Sequence, residues 1–169
     1  ALLLYRALAV IRKMEQTEKI LIKKTDFKDL DEIIGFEKAD SQFVQKYDLT
    51  EHQKILENEC HLSIFERNKN SLVGHIILAG VKDKKKVIEF RRIVVTEKGL
   101  GYGKDSIELI KKICFKNYKA EKIWLDVYSS NKRAIKLYES QGFVKEKKIQ
   151  LQENNNKRDL WIMSIKNNI

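Results

Sequence analysis

The chain has 169 residues, enough for one domain with a sizeable core and too few for two full ones. Hydrophobic residues make up 43% and charged residues 34%, which excludes a disordered polymer, and no apolar run reaches the roughly 18 residues of a membrane span. Lys and Arg outnumber Asp and Glu by 34 to 24, so the formal charge of +10 calls for an anionic partner without choosing among nucleic acid, anionic lipid and a phosphorylated cofactor.

Ala1 to Lys13 is a short apolar stretch ending just before Met14. Arg6 interrupts it and no basic region precedes it, which argues against a secretory signal. Residues 1–13 therefore read as a leader or added extension, and 14–169 as a single domain. Ile20-Leu21-Ile22 reads as a strand, and Thr25-Asp26 as the cap of a helix carrying Leu30, Ile33 and Ile34. Phe36 to Leu49 has weak periodicity. Thr50 with Gln53 resembles a capping box for a short helix through Leu56. Leu62 to Arg67 and Leu72 to Ala79 form a hairpin, Lys82 to Lys86 a basic loop, and Val87 to Val95 a β-branched strand.

A glycine cluster follows at Gly99, Gly101 and Gly103, then a helix over Asp105 to Tyr118 with Ile107, Ile110, Ile113 and Cys114 near helical spacing. Ile123, Leu125 and Val127 alternate into a strand. Asn131 to Gln141 is a short helix stopped by Gly142, and Phe143 to Leu151 and Asp159 to Ile165 are two more strands. The order describes a mixed α/β domain. Cys60 and Cys114 form no C-x-x-C pair and read as reduced thiols in a cytoplasmic protein. His52, His61 and His75 show no zinc spacing and are read as structural or surface groups; no metal is implied.

A strand that ends in a glycine-rich loop and opens a helix suits an anion, because backbone amides can approach it and the helix dipole favours it. Two familiar versions fail here. A P-loop needs glycine where Lys98 stands, and the dinucleotide fingerprint needs Gly or Ala where Ser106 stands. The bland alternative is a turn whose glycines merely allow positive φ. Three glycines in five residues, flanked by Lys98 and Lys104, favour the anion site.

With these residues in view, the chain resembles the GNAT superfamily of acyl-CoA N-acyltransferases. The family motif Gln/Arg-x-x-Gly-x-Gly/Ala aligns with Lys98-Gly99-Leu100-Gly101-Tyr102-Gly103, where Lys98 departs from Gln or Arg but keeps a donor. A second block, Asn-x-x-Ala-x-x-x-Tyr-x-x-x-Gly-Phe, matches at Asn131, Ala134, Tyr138, Gly142 and Phe143. The resemblance implies a GNAT fold, a central, mostly antiparallel sheet of six to seven strands splayed in the middle and flanked by about four helices. It also implies acetyl-CoA as co-substrate. The pyrophosphate would lie against the amides of Gly99 to Lys104, and the backbone of Arg91, Arg92 and Ile93 would meet the thioester and pantetheine arm. Asn131 would contact the cofactor, and Tyr138 would protonate the leaving thiolate.

Each residue also has a plainer reading. Tyr138 fits a packed aromatic on an amphipathic helix, and Asn131 a helix N-cap. Arg91 and Arg92 are expected to point to opposite faces, so that at most one reaches the site. Glu89, a carboxylate of the same strand, is a candidate general base acting through water, or simply a salt-bridge partner. Lys82 to Lys86 is a solvated loop that could attract the cofactor's 3′-phosphate.

The expected activity is acetyl transfer from acetyl-CoA to a primary amine by direct attack. The resemblance points to a small polyamine-like acceptor, or a protein N-terminus or lysine, and admits a homodimer. The acceptor is expected between Phe36 to Leu49 and Gln150 to Asp159, with Glu37, Asp40 and Asp48 either attracting a cationic amine or forming a solvated acidic face. Two other readings stand beside it: a non-catalytic acyl-CoA sensor of the same fold, and a basic nucleic-acid-binding module. Against the last, the positive charge is spread along the chain and no RNP, zinc-finger or helix-turn-helix pattern is present.

Overall fold

Leu62 and Ile64 leave their strand on one side while His61 and Ser63 leave it on the other, and this alternation divides the fold into two layers. The computed structural model describes residues 15–168, so the leader expected over Ala1 to Lys13 lies outside the described residues. Strands β1 (Glu15–Gln16), β2 (Ile20–Lys24), β3 (Cys60–Glu66), β4 (Ser71–Ala79), β5 (Val87–Val95), β6 (Lys122–Tyr128), β7 (Val144–Glu153) and β8 (Asn156–Lys166) form one sheet. Their spatial order is β1-β2-β3-β4-β5-β6-β8-β7. Seven of these eight follow the sequence expectation. The two-residue edge strand β1 is additional.

Four α-helices are present among the described residues: α1 (Leu30–Ala39), α2 (Leu49–Asn58), α3 (Tyr102–Lys112) and α4 (Lys132–Ser140). On one face α3 packs against β2 and β5, over an apolar core that includes Ile76, Leu78, Phe90, Ile107 and Ile110. On the other, α1 crosses β4 and β5, and α2 lies against β3. None of these helices is long and apolar enough to cross a membrane.

Three local details differ from the sequence expectation. The capping box of α2 is made by Asp48 and Glu51 rather than Thr50 and Gln53: the Glu51 amide donates to Asp48 at 2.8 Å and the Asp48 amide to Glu51 at 2.7 Å. The helix expected from Asp105 begins at Tyr102, and it widens into a π turn over Ile113–Asn117, where the Tyr118 amide donates to the Ile113 carbonyl. The Lys82 to Lys86 loop precedes β5, whereas the glycine cluster follows it. Nine extended residues separate the two by about 25–30 Å. That loop is too far from the glycine amides to serve the same phosphate-bearing ligand.

Every strand pairing is antiparallel except one. β5 and β6 run parallel and pair only over Val87↔Lys122, Ile88↔Ile123 and Glu89↔Trp124. Beyond Glu89, β5 continues on β4 as far as Gly74↔Val95, while β6 continues on β8 as far as Tyr128↔Leu160. The two strands diverge because each follows its other neighbour. A wedge opens in the middle of the sheet.

Candidate active site

Where β5 leaves the wedge, the chain turns through the exposed residues Thr96 to Leu100 into α3. Gly99 and Gly101 both adopt φ of 84°, a left-handed conformation that costs glycine little. Gly101 is the N-cap and supplies no side chain. The first intrahelical bond runs from the Asp105 amide to the Gly101 carbonyl at 3.0 Å, so the amides of Tyr102, Gly103 and Lys104 precede the ladder and point outward. Gly103 is needed for a different reason: a Cβ there would lie 3.2 Å from Leu137 of α4, so it lets the two helices approach. The Asp105 carboxylate, which would compete with an anion at this helix start, is turned aside and accepts the Thr17 hydroxyl at 2.6 Å. The residues here fit a pyrophosphate. Lys104 is exposed at the first turn, while Lys98 reaches Asp40 at 3.4 Å.

β6 leads in the same way into α4. Asn131 caps it, its side-chain oxygen accepting the Ala134 amide at 3.2 Å, which leaves the side-chain NH2 to donate elsewhere. Gly142, at φ 93°, ends the helix as expected. Tyr138 is 8% exposed and packs edge-on to Phe90 of β5 and tilted against Phe143. Its hydroxyl has no hydrogen bond among the described residues. Among the described residues, the buried side-chain atoms without a partner include His75 Nδ1 and Ser106 Oγ. Burial, and then the nearby Asp126 carboxylate, push the Tyr138 pKa up, which keeps the phenol protonated as a proton donor must be.

Arg91 and Arg92 do not point to opposite faces. Leu78 pairs with Phe90 and Ile77 with Arg92, so Arg91 is the extra residue of a β-bulge and the alternation breaks there. Both guanidinium groups reach carboxylates on the α1 and α2 side. Arg91 meets Glu89 at 3.0 Å and Glu59 at 4.0 Å, and Arg92 meets Glu37 at 2.7 Å. Glu89 thus holds the salt bridge that the sequence allowed for it. Ile93 continues the strand on β4, paired with Ile76, and it is half-buried.

Beneath Arg92 lies a polar cluster that sequence reasoning missed. Glu37 is fully buried and accepts from Arg92, from His75 at 3.0 Å, from His52 at 3.2 Å and from the Tyr47 amide at 3.0 Å. His52 Nδ1 lies 3.0 Å from His61 Nε2, and His61 Nδ1 lies 2.8 Å from the Thr25 hydroxyl. One assignment closes this chain: each ring carries its proton on Nε2, and the Thr25 hydroxyl donates to His61. Burial alone would raise the Glu37 carboxyl, but the hydrogen bonds from His52, His75 and Tyr47 and the Arg92 charge outweigh it and hold the pKa far below the usual range. Burial, followed by the neighbouring rings, lowers His61 to about 3, and burial also lowers His75. The Tyr47 ring covers the Arg92 guanidinium at 3.9 Å.

The acidic residues expected to draw in a cationic amine are therefore taken up otherwise. Glu37 is sealed in the cluster, Asp48 caps α2, and Asp40 pairs with Lys98. A carboxylate that the sequence did not single out, Asp126, stands in the wedge instead. It lies two residues beyond Trp124, the partner of Glu89, and so on the same face as that pair. It is exposed and has no hydrogen bond or ion pair among the described residues. Two residues further along β6, Tyr128 lines a groove of about 500 Å³ that runs between the 41–46 segment and the turn joining β7 to β8. Tyr128, Gln45, Lys46, Gln152, Asn154 and Arg158 are among its lining residues. The acceptor region expected from the sequence is where this groove lies.

Residues 25–143 match the family model described as Acetyltransferase (GNAT) family. Among solved structures, the acetyltransferase (GNAT family) from Bacillus anthracis is 18% identical with a TM-score of 0.78, covering 91% of this chain and 98% of that one. Spermidine N-acetyltransferase from Vibrio cholerae, in complex with CoA and spermine, is 20% identical with a TM-score of 0.78, covering 89% and 96%. At these identities the likeness is one of fold. No curated protein sequence matches the chain.

Proposed function

We propose that this chain, which belongs to the acetyltransferase (GNAT) family, transfers the acetyl group of acetyl-CoA to a primary amine. The observation that carries this reading is the wedge between β5 and β6, with a helix N-terminus following each of its two strands. Amides of Gly101, Tyr102, Gly103 and Lys104 hold the pyrophosphate at the start of α3, and Gly99 and Leu100 shape the approach. The pantetheine arm lies in the wedge, where the backbone of Arg91, Arg92 and Ile93 meets the thioester. An N–H there polarises the carbonyl as negative charge develops on its oxygen. The side-chain NH2 of Asn131 donates to the cofactor while its oxygen caps α4.

In this mechanism the amine attacks the thioester carbonyl directly. The tetrahedral intermediate collapses, and Tyr138 protonates the departing sulfur. Glu89 takes part as base only by leaving Arg91, a requirement that sets it below Tyr138 among the proposed groups.

The testing experiment is a titration with acetyl-CoA followed by thiol release in the presence of a panel of amines. Saturable binding with amine-dependent thiol release is the expected result. Binding without release from any amine would favour the acyl-CoA sensor. Salt-dependent retention of oligonucleotide without acetyl-CoA binding would favour the nucleic-acid module.

A further inference from the structure

The turn that joins β1 to β2 reaches the glycine loop and the start of α3 with two side chains. The Thr17 hydroxyl donates to the Asp105 carboxylate at 2.6 Å, and the Lys19 ammonium donates to the Leu100 carbonyl at 3.3 Å. The turn is itself held from two sides. The Thr17 amide donates to the Ile20 carbonyl at 2.9 Å. Arg67, just past β3, donates from its guanidinium to the Thr17 carbonyl at 2.6 Å and from its amide to the Lys19 carbonyl at 3.0 Å. The Thr17 oxygen accepts the amides of Lys19 and Ile20, each at 3.2 Å, which leaves its proton for Asp105.

Each contact removes a group that would oppose an anion at this helix start. Asp105 lies in the first turn of α3, where its negative charge would compete for the outward amides and repel a phosphate. The Leu100 carbonyl opposes an anion in another way. Its peptide lies between Gly99 and Gly101, both at positive φ, and glycine resists a flip of such a peptide little. The peptide is trans, so its C=O and N–H leave on opposite sides. With the carbonyl held at Lys19, the Gly101 N–H faces the other way; a flip would put an oxygen in its place. Lys19 has no ion pair among the described residues, so its ammonium is not drawn off to a carboxylate. It stands against the loop backbone, 2.8 Å from where a Cβ on Gly101 would fall.

We propose that Thr17 and Lys19 are positioning residues for the phosphate-bearing end of the cofactor. Thr17 keeps the Asp105 carboxylate off the first-turn amides of α3, and Lys19 keeps the Leu100 carbonyl turned back so that the Gly101 amide faces the diphosphate. Both act through the loop and not on the reacting atoms. The assignment rests on the acetyl-transfer reading above, and losing either residue should cost affinity only for ligands that carry the diphosphate.

The test measures the Kd of acetyl-CoA, and of S-acetylpantetheine, which has the thioester arm without the diphosphate, by calorimetric titration of the full chain. Thr17→Val keeps the side-chain shape and deletes the hydroxyl. It should weaken acetyl-CoA by about five- to tenfold and leave S-acetylpantetheine as in the wild type. Adding Asp105→Asn should restore most of the affinity, because the repelling charge is then gone. A purely structural hydroxyl would leave the double variant as weak as the single one, and that result would overturn the role of Thr17. Should Thr17→Val fail to fold, Asp105→Asn alone decides the point: it should bind acetyl-CoA at least as tightly as the wild type, and weaker binding would count against the proposal. Lys19→Met should weaken acetyl-CoA by a similar factor, while Lys19→Arg keeps a donor for the Leu100 carbonyl and should retain most of the affinity. Equal losses for both ligands, or none for acetyl-CoA, would overturn the assignment while leaving acetyl transfer standing. A wild-type chain that binds no acetyl-CoA would overturn the acetyl-transfer reading and this one with it.

Discussion

Glu37 of α1 and Arg92 of β5 meet at 2.7 Å with the carboxylate fully buried, and the contact ties the first helix to the bulged strand that walls the wedge. Arg92 lies beside the bulge at Arg91, so its tether holds the strand irregularity in place. Glu37 is a neutralising counter-ion and a hub for two histidines and an amide. Removing either partner strands a buried charge.

Glu37→Gln should therefore cost about 3–5 kcal/mol of stability, the usual cost of breaking one side of a buried pair. Glu37→Leu combined with Arg92→Leu should recover only the part of that loss due to the unpaired charge, because His52, His75 and the Tyr47 amide still lose their acceptor. Denaturant unfolding of both variants checks this. A single mutant as stable as wild type would show that the pair is not held as described.

Acid should destabilise the fold through the same cluster. His61 and His75 have lowered folded pKa values, so below about pH 6.5 the unfolded chain binds protons that the folded chain refuses. Stability then falls as pH falls, for His61 by on the order of 1 kcal/mol at pH 5.5 and further toward pH 3, with His75 acting in the same direction. The depressed Glu37 acts in the same direction once the unfolded carboxyl begins to protonate near its ordinary pKa of 4.5. Thermal melts from pH 8 to 5 should show Tm dropping by a few degrees, and His61→Gln should flatten part of that slope.

Acetyl-CoA should raise Tm by several degrees at a hundredfold excess over its Kd. Gly101→Asp should abolish the shift, since it places a carboxylate among the first-turn amides of α3. An added Cβ there also falls 2.8 Å from Lys19 Nζ, a flexible group that can move. The readout is therefore the ligand-induced shift, not the starting Tm. An undiminished shift would remove the phosphate assignment.

Tyr138→Phe keeps the ring packing against Phe90 and Phe143 and deletes only the hydroxyl. Its Tm and acetyl-CoA affinity should stay near wild type while kcat falls by roughly 10²-fold. Unchanged kcat in a stable variant would leave the sulfur to take its proton from elsewhere.

Gly35 offers a prediction independent of function. It lies exposed within α1, and a Cβ added there meets no atom within 4 Å. Gly35→Ala should raise stability by about 0.5–1 kcal/mol, because it restricts the unfolded chain and fills no occupied space. A loss in urea unfolding would contradict the open surroundings of that position.

What the sequence determined alone are the features written in neighbouring residues. The glycine turn into α3, the Asn131 cap, the Gly142 stop and the order of strands and helices each depend on residues within a few positions, where spacing is nearly structure. Tertiary structure decided what depends on partners far along the chain. Arg92 and Glu37 are 55 residues apart, and their meeting needs the register of β4 on β5 together with the bulge at Arg91. His61 and Ser63 alternate with Leu62 and Ile64 as a half-exposed strand would, yet both sides of β3 are buried, because α1 and α2 cover the polar side. A period-two pattern separates the two faces of a strand but carries no information about what lies above either. The Glu89 pair with Arg91, two residues along the same strand, was by contrast within reach of the sequence, whereas the place of Asp126 in the wedge depends on where β6 parts from β5.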